Sequence, residues 1–405
     1  MKIVVISAAF PPMRAGEADH VLHLCNQLAS HGLEVQLITS RKNRSTDPLP
    51  FQVHSLIKDW SWKDLWPLQR FIKRVSPDVV LLYYIGWIYD YHPMITFAPT
   101  LAKIINPSAR FVTQFANAEG AEPLRFSFMT RLIRRAMSRW AGDNHVDYSF
   151  GTLLRDSDQL IVLSDGHRSR LAERFSEVNH KSVLIPPPPI MKMSLENNGA
   201  GRHRGRARLG ISPEDFLFVY FGYVYPGKGV ETLLKAFQRI VKERSHARLL
   251  ILGGFLARSF PDRPRYAEEI SALPKRLGID HKVIWFGEYA WDSDQASSCL
   301  RAADACVLPV EIGIQLNNSS LAGAAAHGLP VITIRGDVLE KAFVDRENVL
   351  LCLPRNAESL VDGMESLMDG PELALRLKRG ALQLYEDWFS WSKATDRTLA
   401  VLKGQ

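Results

Sequence analysis

A chain of 405 residues with 46% apolar and 23% charged side chains has room for a large core and two domains, which excludes a disordered or fibrous class. Its net charge of +7 and isoelectric point near 9.2 fit anionic partners without choosing among phosphates, acidic lipids and nucleic acid. Cys25, Cys299, Cys306 and Cys352 lack CxxC or metal spacing and read as buried reduced thiols, and no apolar run reaches the ~18 residues of a membrane-spanning helix, so a cytoplasmic protein is expected.

The first half alternates strands and helices. Residues 2–6 (KIVVI) form a buried strand, and the loop PPMRAGE leads to a helix carrying Val21, Leu22, Leu24, Cys25 and Leu28 at helical spacing. Gly32 ends it, and residues 34–39 make the next strand. Gly16, just before the helix, lets a ligand approach the backbone closely or simply punctuates the loop. Residues 41–60 read as polar and irregular. The strand at 78–83 opens into YIGWIYDYH, an aromatic loop suited equally to sugar stacking and to packing. A fourth strand at 111–115 precedes the loop ANAEG. The segment RFSFMTRLIRRAMSRW puts Arg131, Arg134, Arg135 and Arg139 near one helical face, which suits an anionic membrane surface or a solvated charged face. Strands at 159–164 and 183–185 close this half.

Four prolines, 186–189, and the Gly-rich basic stretch after them read as an interdomain linker of about residues 191–205. The second half restarts with the strand at 216–221, the loop GYVYPGKG and a helix over 230–244. Strands at 249–252 and 283–286 follow, then a helix near 297–303. The stretch VLPVEIGIQLNNSSLAGAAAHGLPVITIRG reads as strand, polar loop, small-residue helix from about 321, and strand. A loop of Gly, Asn and Ser donors opening a helix at a strand's carboxyl end suits an anion, or it only caps the helix. A late strand at 349–353 and a mostly helical tail complete an α/β chain of two similar halves. The Asp-x-Asp matches at 156–158 and 292–294 precede a strand and a helix, so they read as turn and cap carboxylates, and no metal or cofactor is expected.

These stretches in this order resemble the retaining, group 1 glycosyltransferase family that includes glycogen and sucrose synthases, whose fold is GT-B. The matching pieces run nearly end to end: Phe10-Pro-Pro with Gly16 and His20; LIVLS at 160–164; Phe221-Gly222 with PGKGVETLLKA at 226–236; Ala302-Ala303-Asp304 with Leu308-Pro309; HGLPV at 327–331; Glu347-Asn348-Val349; and the tail from Trp388 to Trp391. The resemblance implies two Rossmann-like domains facing each other across a cleft. Residues 1–190 with a returning helix of about 385–405 would bind the acceptor, and 206–384 the nucleotide sugar. It implies transfer from a nucleotide-diphospho sugar to a hydroxyl acceptor with retention, often without metal.

On that resemblance Lys228 is the phosphate-binding lysine, and Gly16 the glycine whose backbone nears the diphosphate. Gly222, Tyr223, Gly313, Ile314, Asn317, Asn318, Ser319 and Ser320 complete the donor-binding candidates. The sequence departs from the pattern in three places. Tyr223 replaces a common arginine, Gly323 stands where relatives place the ribose-binding carboxylate, and Asn317-Asn318 stand where a sub-pattern has two arginines. Glu311 lies one position from that sub-pattern's aspartate and joins Lys228 as a catalytic candidate. Either Arg14 or another basic group supplies the missing charge, or donor affinity is weak, or the donor differs. No histidine follows the fourth strand, so Asn117 and Glu119 are candidates for catalytic polar contacts there. His20, Tyr89, Asp90 and His92 are the acceptor-binding candidates.

The expected partners are a nucleotide sugar and a hydroxyl acceptor (saccharide, lipid-linked sugar or metabolite), with membrane-peripheral contact through the four arginines and no nucleic acid. The alternative is a catalytically silent glycosyltransferase-like binding or scaffold subunit, because the charged donor-site residues are lost. An epimerase of similar build lacks its paired carboxylates here, and no Gly-x-Gly-x-x-Gly follows the first strand to mark a dinucleotide oxidoreductase.

Overall fold

The computed structural model describes residues 1–13, 15–43, 48–118, 127–142, 146–147, 149–193, 198–256, 262–290 and 293–405. The chain divides into two compact units, one formed by Met1–Pro186 with Ala394–Gln405, the other by Pro187–Lys393. Each is an α/β domain around a parallel sheet.

In the first unit the strands are β1 (Lys2–Ile6), β2 (Glu34–Ser40), β3 (Gln52–Ile57), β4 (Val79–Tyr84), β5 (Arg110–Phe115), β6 (Gln159–Val162) and β7 (Ser182–Leu184). They pair in the order β3-β2-β1-β4-β5-β6-β7, every pair parallel. Ile3, Val4, Val5 and Ile6 are wholly buried, as a strand covered on both faces requires. The C-terminal helix Trp391–Lys403 ends against β5, where Arg110 donates to the Val401 carbonyl at 3.4 Å.

The second unit contains β8 (Phe216–Phe221), β9 (Ala247–Leu252), β10 (Val283–Gly287), β11 (Ala305–Leu308), β12 (Val331–Ile334) and β13 (Leu350–Cys352). Their order is β10-β9-β8-β11-β12-β13, again all parallel. Strand order reverses between β1 and β4 in the first sheet, and between β8 and β11 in the second. Beyond the carboxyl ends of strands at such a reversal the connections diverge to opposite faces and leave a crevice. The loops after β1, β4, β8 and β11 are therefore where each unit can take a ligand.

Three expectations from the sequence give way. Residues 41–60 are not all irregular: 52–57 form β3, an edge strand whose half-exposed polar residues hide the pattern. The stretch expected as linker contains the helix Asn198–Leu209, which belongs to the second unit. Its glycine serves close packing, since a Cβ on Gly205 would lie 2.5 Å from the Ser298 carbonyl of the neighbouring helix. Two of its arginines, Arg202 and Arg206, are internal ties. Arg206, 7% exposed, meets Asp304 at 3.2 Å and donates to the Ala302 carbonyl at 3.0 Å, while Arg202 pairs with Asp304 from the other side. The same Asp304 accepts from the Leu217 amide of β8 at 2.7 Å. Finally, the four arginines of the helix Phe128–Trp140 do not share one face, because Arg134 turns inward and donates to the Asp147 carbonyl. All four cysteines are buried free thiols.

Candidate functional site

In the second unit three neighbouring strands each end at a glycine in the left-handed region: Gly222 (φ +126°), Gly253 (φ +137°) and Gly287 (φ +80°). Gly253 and Gly222 lie too close to their neighbours for a side chain, whereas nothing lies within 4 Å of a Cβ at Gly287. A Cβ on Gly253 would lie 2.2 Å from the Gly222 carbonyl, and one on Gly222 would lie 2.6 Å from Ser320 Oγ. The Gly253 amide donates to the Gly287 carbonyl at 3.0 Å and the Val224 amide to the Gly254 carbonyl at 2.9 Å, which knits the loops after β8, β9 and β10 together.

The Lys228 turn is locked to the β11 loop. Gly229 (φ +72°) caps the helix Val230–Glu243 so close to β11 that a Cβ would meet the Pro309 carbonyl at 1.9 Å. The Glu311 amide donates to the Gly227 carbonyl at 3.0 Å. Lys228 itself is half-buried, its ammonium 5.0 Å from the centroid of the Tyr225 ring, and no ion pair to a carboxylate holds it among the described residues. A cation in a rigid, glycine-flanked turn at a helix start is what a polyanion needs.

The loop from 311 to 318 is fixed from the β12 side. Gly313 (φ +86°) lies back to back with Gly336, the Ile314 amide donates to the Ile334 carbonyl at 2.9 Å, and the Leu316 amide donates to the carboxylate of Glu340, which is 1% exposed. Asn318 accepts from the Leu321 amide at 3.0 Å and so caps the helix Ser319–Ala326. Gly222, Lys228, Glu311, Gly313, Asn317, Asn318, Ser319 and Ser320 thus gather at one sheet end. Ile314 does so only through its backbone, because its side chain is buried in the core. Tyr223 is 42% exposed there, and its carbonyl accepts from the Tyr220 hydroxyl at 2.8 Å.

Two features explain the departures of the sequence. At Gly323 a Cβ would stand 2.7 Å from the Phe221 ring and 3.3 Å from the Met191 sulfur, so Phe221 and Met191 fill the space that a carboxylate side chain would need. And Glu311 pairs with Arg355 at 3.3 Å, a cation beyond β13 that the sequence reading missed. Arg355 is mostly exposed, so the pair is weak, yet it brings a second guanidinium or ammonium group to this mouth. Arg14, the expected compensating group, lies outside the described residues.

Phe255 and Trp285 stack with centroids 5.7 Å apart and planes 23° apart. With Gly253, Gly254, Ser271 and Gly287 they line a depression of about 240 Å³ beside the same strand ends. That volume is below the range of whole-ligand pockets, about 300–1,000 Å³. The signal for it in the sequence is three successive strands each running into glycine.

The first unit's mouth is built from side chains. Gly16 opens the helix Gly16–Ser30, with Glu17 and Asp19 in its first turn. Burial raises the Glu17 carboxyl above its usual range, although the Trp87 indole hydrogen-bonds to it. Burial, then the charge of Glu17, pushes Asp19 up to about 7. His20 is 5% exposed, with its ring 5.4 Å from that of Tyr83, and burial holds its pKa near 4. The Gln114 amide nitrogen, 3.1 Å from His20 Nε2, can only donate, so Nε2 accepts and Nδ1 carries the proton. His20 is a neutral wall residue rather than a charged ligand.

Tyr89 does not fit an acceptor role. It is 1% exposed, its hydroxyl donates to the Tyr83 carbonyl at 2.7 Å, and its ring packs on Trp60 at 4.9 Å. The aromatic loop after β4 is largely core. Asp90 beside it is exposed at φ +50°. His92 accepts from the Met94 amide at 3.1 Å, and burial lowers its pKa. Asn117 is half-buried just past β5, and Glu119 lies outside the described residues. Asp156 and Asp158 tie loops together through Thr100 and Arg155, and through Lys103 and the Phe111 amide. Among the described residues no cluster of three His, Cys, Asp or Glu side chains could hold a metal ion, and no helix is long and apolar enough to cross a membrane.

Residues 202–383 match the family described as glycosyl transferases group 1, and residues 13–140 match glycosyl transferase 4-like proteins. A D-inositol 3-phosphate glycosyltransferase from Segniliparus rotundus is 25% identical over 62% of this chain and 53% of its own length. The chain therefore spans about half of that relative. Its counterpart from Kineococcus radiotolerans is 22% identical over 95% of this chain and 89% of its own. Among solved structures, Anabaena HepE, described in complex with UDP and glucose, superposes with a TM-score of 0.70 at 13% identity, covering all of both chains.

Proposed function

We propose that this chain, whose residues 202–383 match the group 1 glycosyltransferases and whose fold is that of GT-B structures, moves a sugar from a nucleotide-diphospho sugar to a hydroxyl acceptor with retention of configuration. The observation that carries this reading is Lys228, a half-buried cation without a carboxylate partner among the described residues, held in a rigid turn at the strand-order reversal of the second sheet. The anomeric C–O bond breaks toward the diphosphate, and charge grows on that leaving group. Lys228, the backbone amides of the Gly227–Gly229 turn and the first turn of the helix Ser319–Ala326 oppose it without rearranging. The acceptor oxygen attacks from the same face, and its proton passes to the departing phosphate, so no side-chain base is required.

The base of the nucleotide lies against Phe255 and Trp285, and the ribose meets neutral groups, because Phe221 closes the space at Gly323. HepE's complexes with UDP and with UDP-glucose support a uridine nucleotide as the first donor to try. In the first unit, Asp90, His92 and Asn117 are the acceptor candidates, with Glu17 and Asp19 beside them. A saccharide, a lipid-linked sugar and a small polyol all offer the required hydroxyl.

The test is a thermal-shift panel of UDP-, GDP-, ADP- and dTDP-sugars at millimolar concentration. A bound donor at a hundredfold excess over its Kd stabilises the chain by about 2.7 kcal/mol. Lys228→Ala should abolish the shift and lower kcat/KM about 100-fold while leaving the unliganded melting temperature in place. If no nucleotide sugar shifts the melt, the silent-subunit reading replaces this one.

A further inference from the structure

The helix Phe128–Trp140 carries an outward face with several exposed apolar side chains. Phe128 is 79% exposed, Met129 59%, Leu132 51% and Trp140 50%. These are four of the fifteen large apolar side chains exposed among the described residues, concentrated in the thirteen positions of one helix. Single exposed apolar residues need no explanation, but a contiguous group of them does.

The face is ordered by charge. At 100° per residue Arg131, Phe128, Arg135 and Arg139 fall within one arc, and Leu132, Ala136, Met129 and Trp140 continue it to the other side. Arg131, Arg135 and Arg139 are exposed. The opposite side is turned in: Ser138 is 7% exposed, Ile133 and Met137 are half-buried, and Arg134 is spent on the Asp147 carbonyl. Apolar and cationic groups therefore occupy adjacent strips of one solvent face, with no acidic side chain anywhere on the helix.

We propose that this helix docks in the plane of an anionic lipid bilayer, with Phe128, Met129, Leu132 and Trp140 entering the headgroup boundary and Arg131, Arg135 and Arg139 on the lipid phosphates. A helix of this length is about 20 Å long, too short to span a bilayer but sufficient to lie on one. The strip of three arginines is complementary to an anionic surface. The apolar strip distinguishes a bilayer from nucleic acid or an acidic protein tail, whose recognition would leave Phe128 and Leu132 in water. This surface is independent of the donor-site reading, because no residue of it lies among the donor-site loops.

The full chain should sediment with vesicles of phosphatidylcholine and phosphatidylglycerol, and not with phosphatidylcholine alone. Arg131→Glu/Arg135→Glu/Arg139→Glu should weaken binding on the order of 100-fold or more. Phe128→Ser/Met129→Ser/Leu132→Ser should weaken binding and leave what remains easily displaced by salt. These side chains are exposed, so the melting temperature of each variant checks that the fold is intact. The proposal is overturned if the unaltered chain ignores anionic vesicles at low salt, if either correctly folded variant binds as well as the parent, or if RNA competes the chain off the vesicles through the same arginines.

Discussion

The mouths of the two sheets arise from the same architecture and are made of opposite materials. At the second sheet, the ends of β8, β9 and β11 approach their neighbours so closely that Gly222, Gly253, Gly229 and Gly313 leave no room for a Cβ, and the surface is largely backbone with Lys228 standing in it. At the first sheet, the ends of β1, β4 and β5 are filled by Glu17, Asp19, His20, Tyr83 and Tyr89, desolvated and locked by internal bonds. Backbone amides and one cation recognise phosphate regardless of what is attached to it. A wall of neutral or protonated side chains discriminates among uncharged hydroxyl ligands by shape. The generic, charged half of a ligand pair belongs to the first kind of mouth and the variable half to the second.

The comparison is broken most severely by adding one carbon to the backbone mouth. Gly229→Ala combines a left-handed φ with a 1.9 Å approach to Pro309, so it should cost about 3–5 kcal/mol in stability and remove the nucleotide response. Gly227→Ala in the same turn has φ +91° and nothing within 4 Å, so it should cost only about 1–2 kcal/mol and keep that response. Equal urea midpoints for the two would mean that close approach does not shape this mouth.

Proton linkage runs with opposite signs at two groups, one in each unit. In the second, His327 donates from Nδ1 to the Gly323 carbonyl and accepts from Ser297 at Nε2, both at 2.7 Å, and burial lowers its pKa to about 4. Its folded pKa lies below the unfolded 6.5, so its contribution is complete above that value and is lost as pH falls toward 4, on the order of 2–3 kcal/mol. His327→Gln should flatten the melting temperature across that window. Asp19 runs the other way. Its folded pKa of about 7 exceeds the ordinary aspartate value of 3.8, so its ionisation destabilises the first unit above pH 7 and is harmless below 3.8. Asp19→Asn should raise the melting temperature at pH 8, with the gain vanishing toward pH 4. A gain of constant size would show that Asp19 acts by packing rather than by charge.

The smallest effect falls on the side-chain mouth. Tyr89→Phe removes the hydroxyl's buried bonds, to the Tyr83 carbonyl and from the Ala8 backbone, and should cost about 1–2 kcal/mol with no change in KM for any acceptor. A raised acceptor KM would return Tyr89 to the binding surface.

The alternation of apolar runs with helical spacing determined the parallel α/β character of both halves, because strands buried on both faces must be continuously hydrophobic, as residues 2–6 and 216–221 are. The spacing of Pro-Gly-Lys-Gly and His-Gly-Leu-Pro located the loops of the second mouth before any coordinates, since turns and helix starts are encoded locally. What local pattern could not show was which glycines touch which backbone. Gly323 reads as a lost carboxylate in the sequence, and only the packed position of Phe221 and Met191 makes it a steric requirement. Arg202 and Arg206 read as a basic linker until Asp304, a hundred residues away, takes their charge. Arg355 reaches Glu311 only because β13 lies beside β12 and β12 beside β11. Local chemistry is written in consecutive residues, but burial and partnership depend on residues distant in the chain, and those only the tertiary structure brings together.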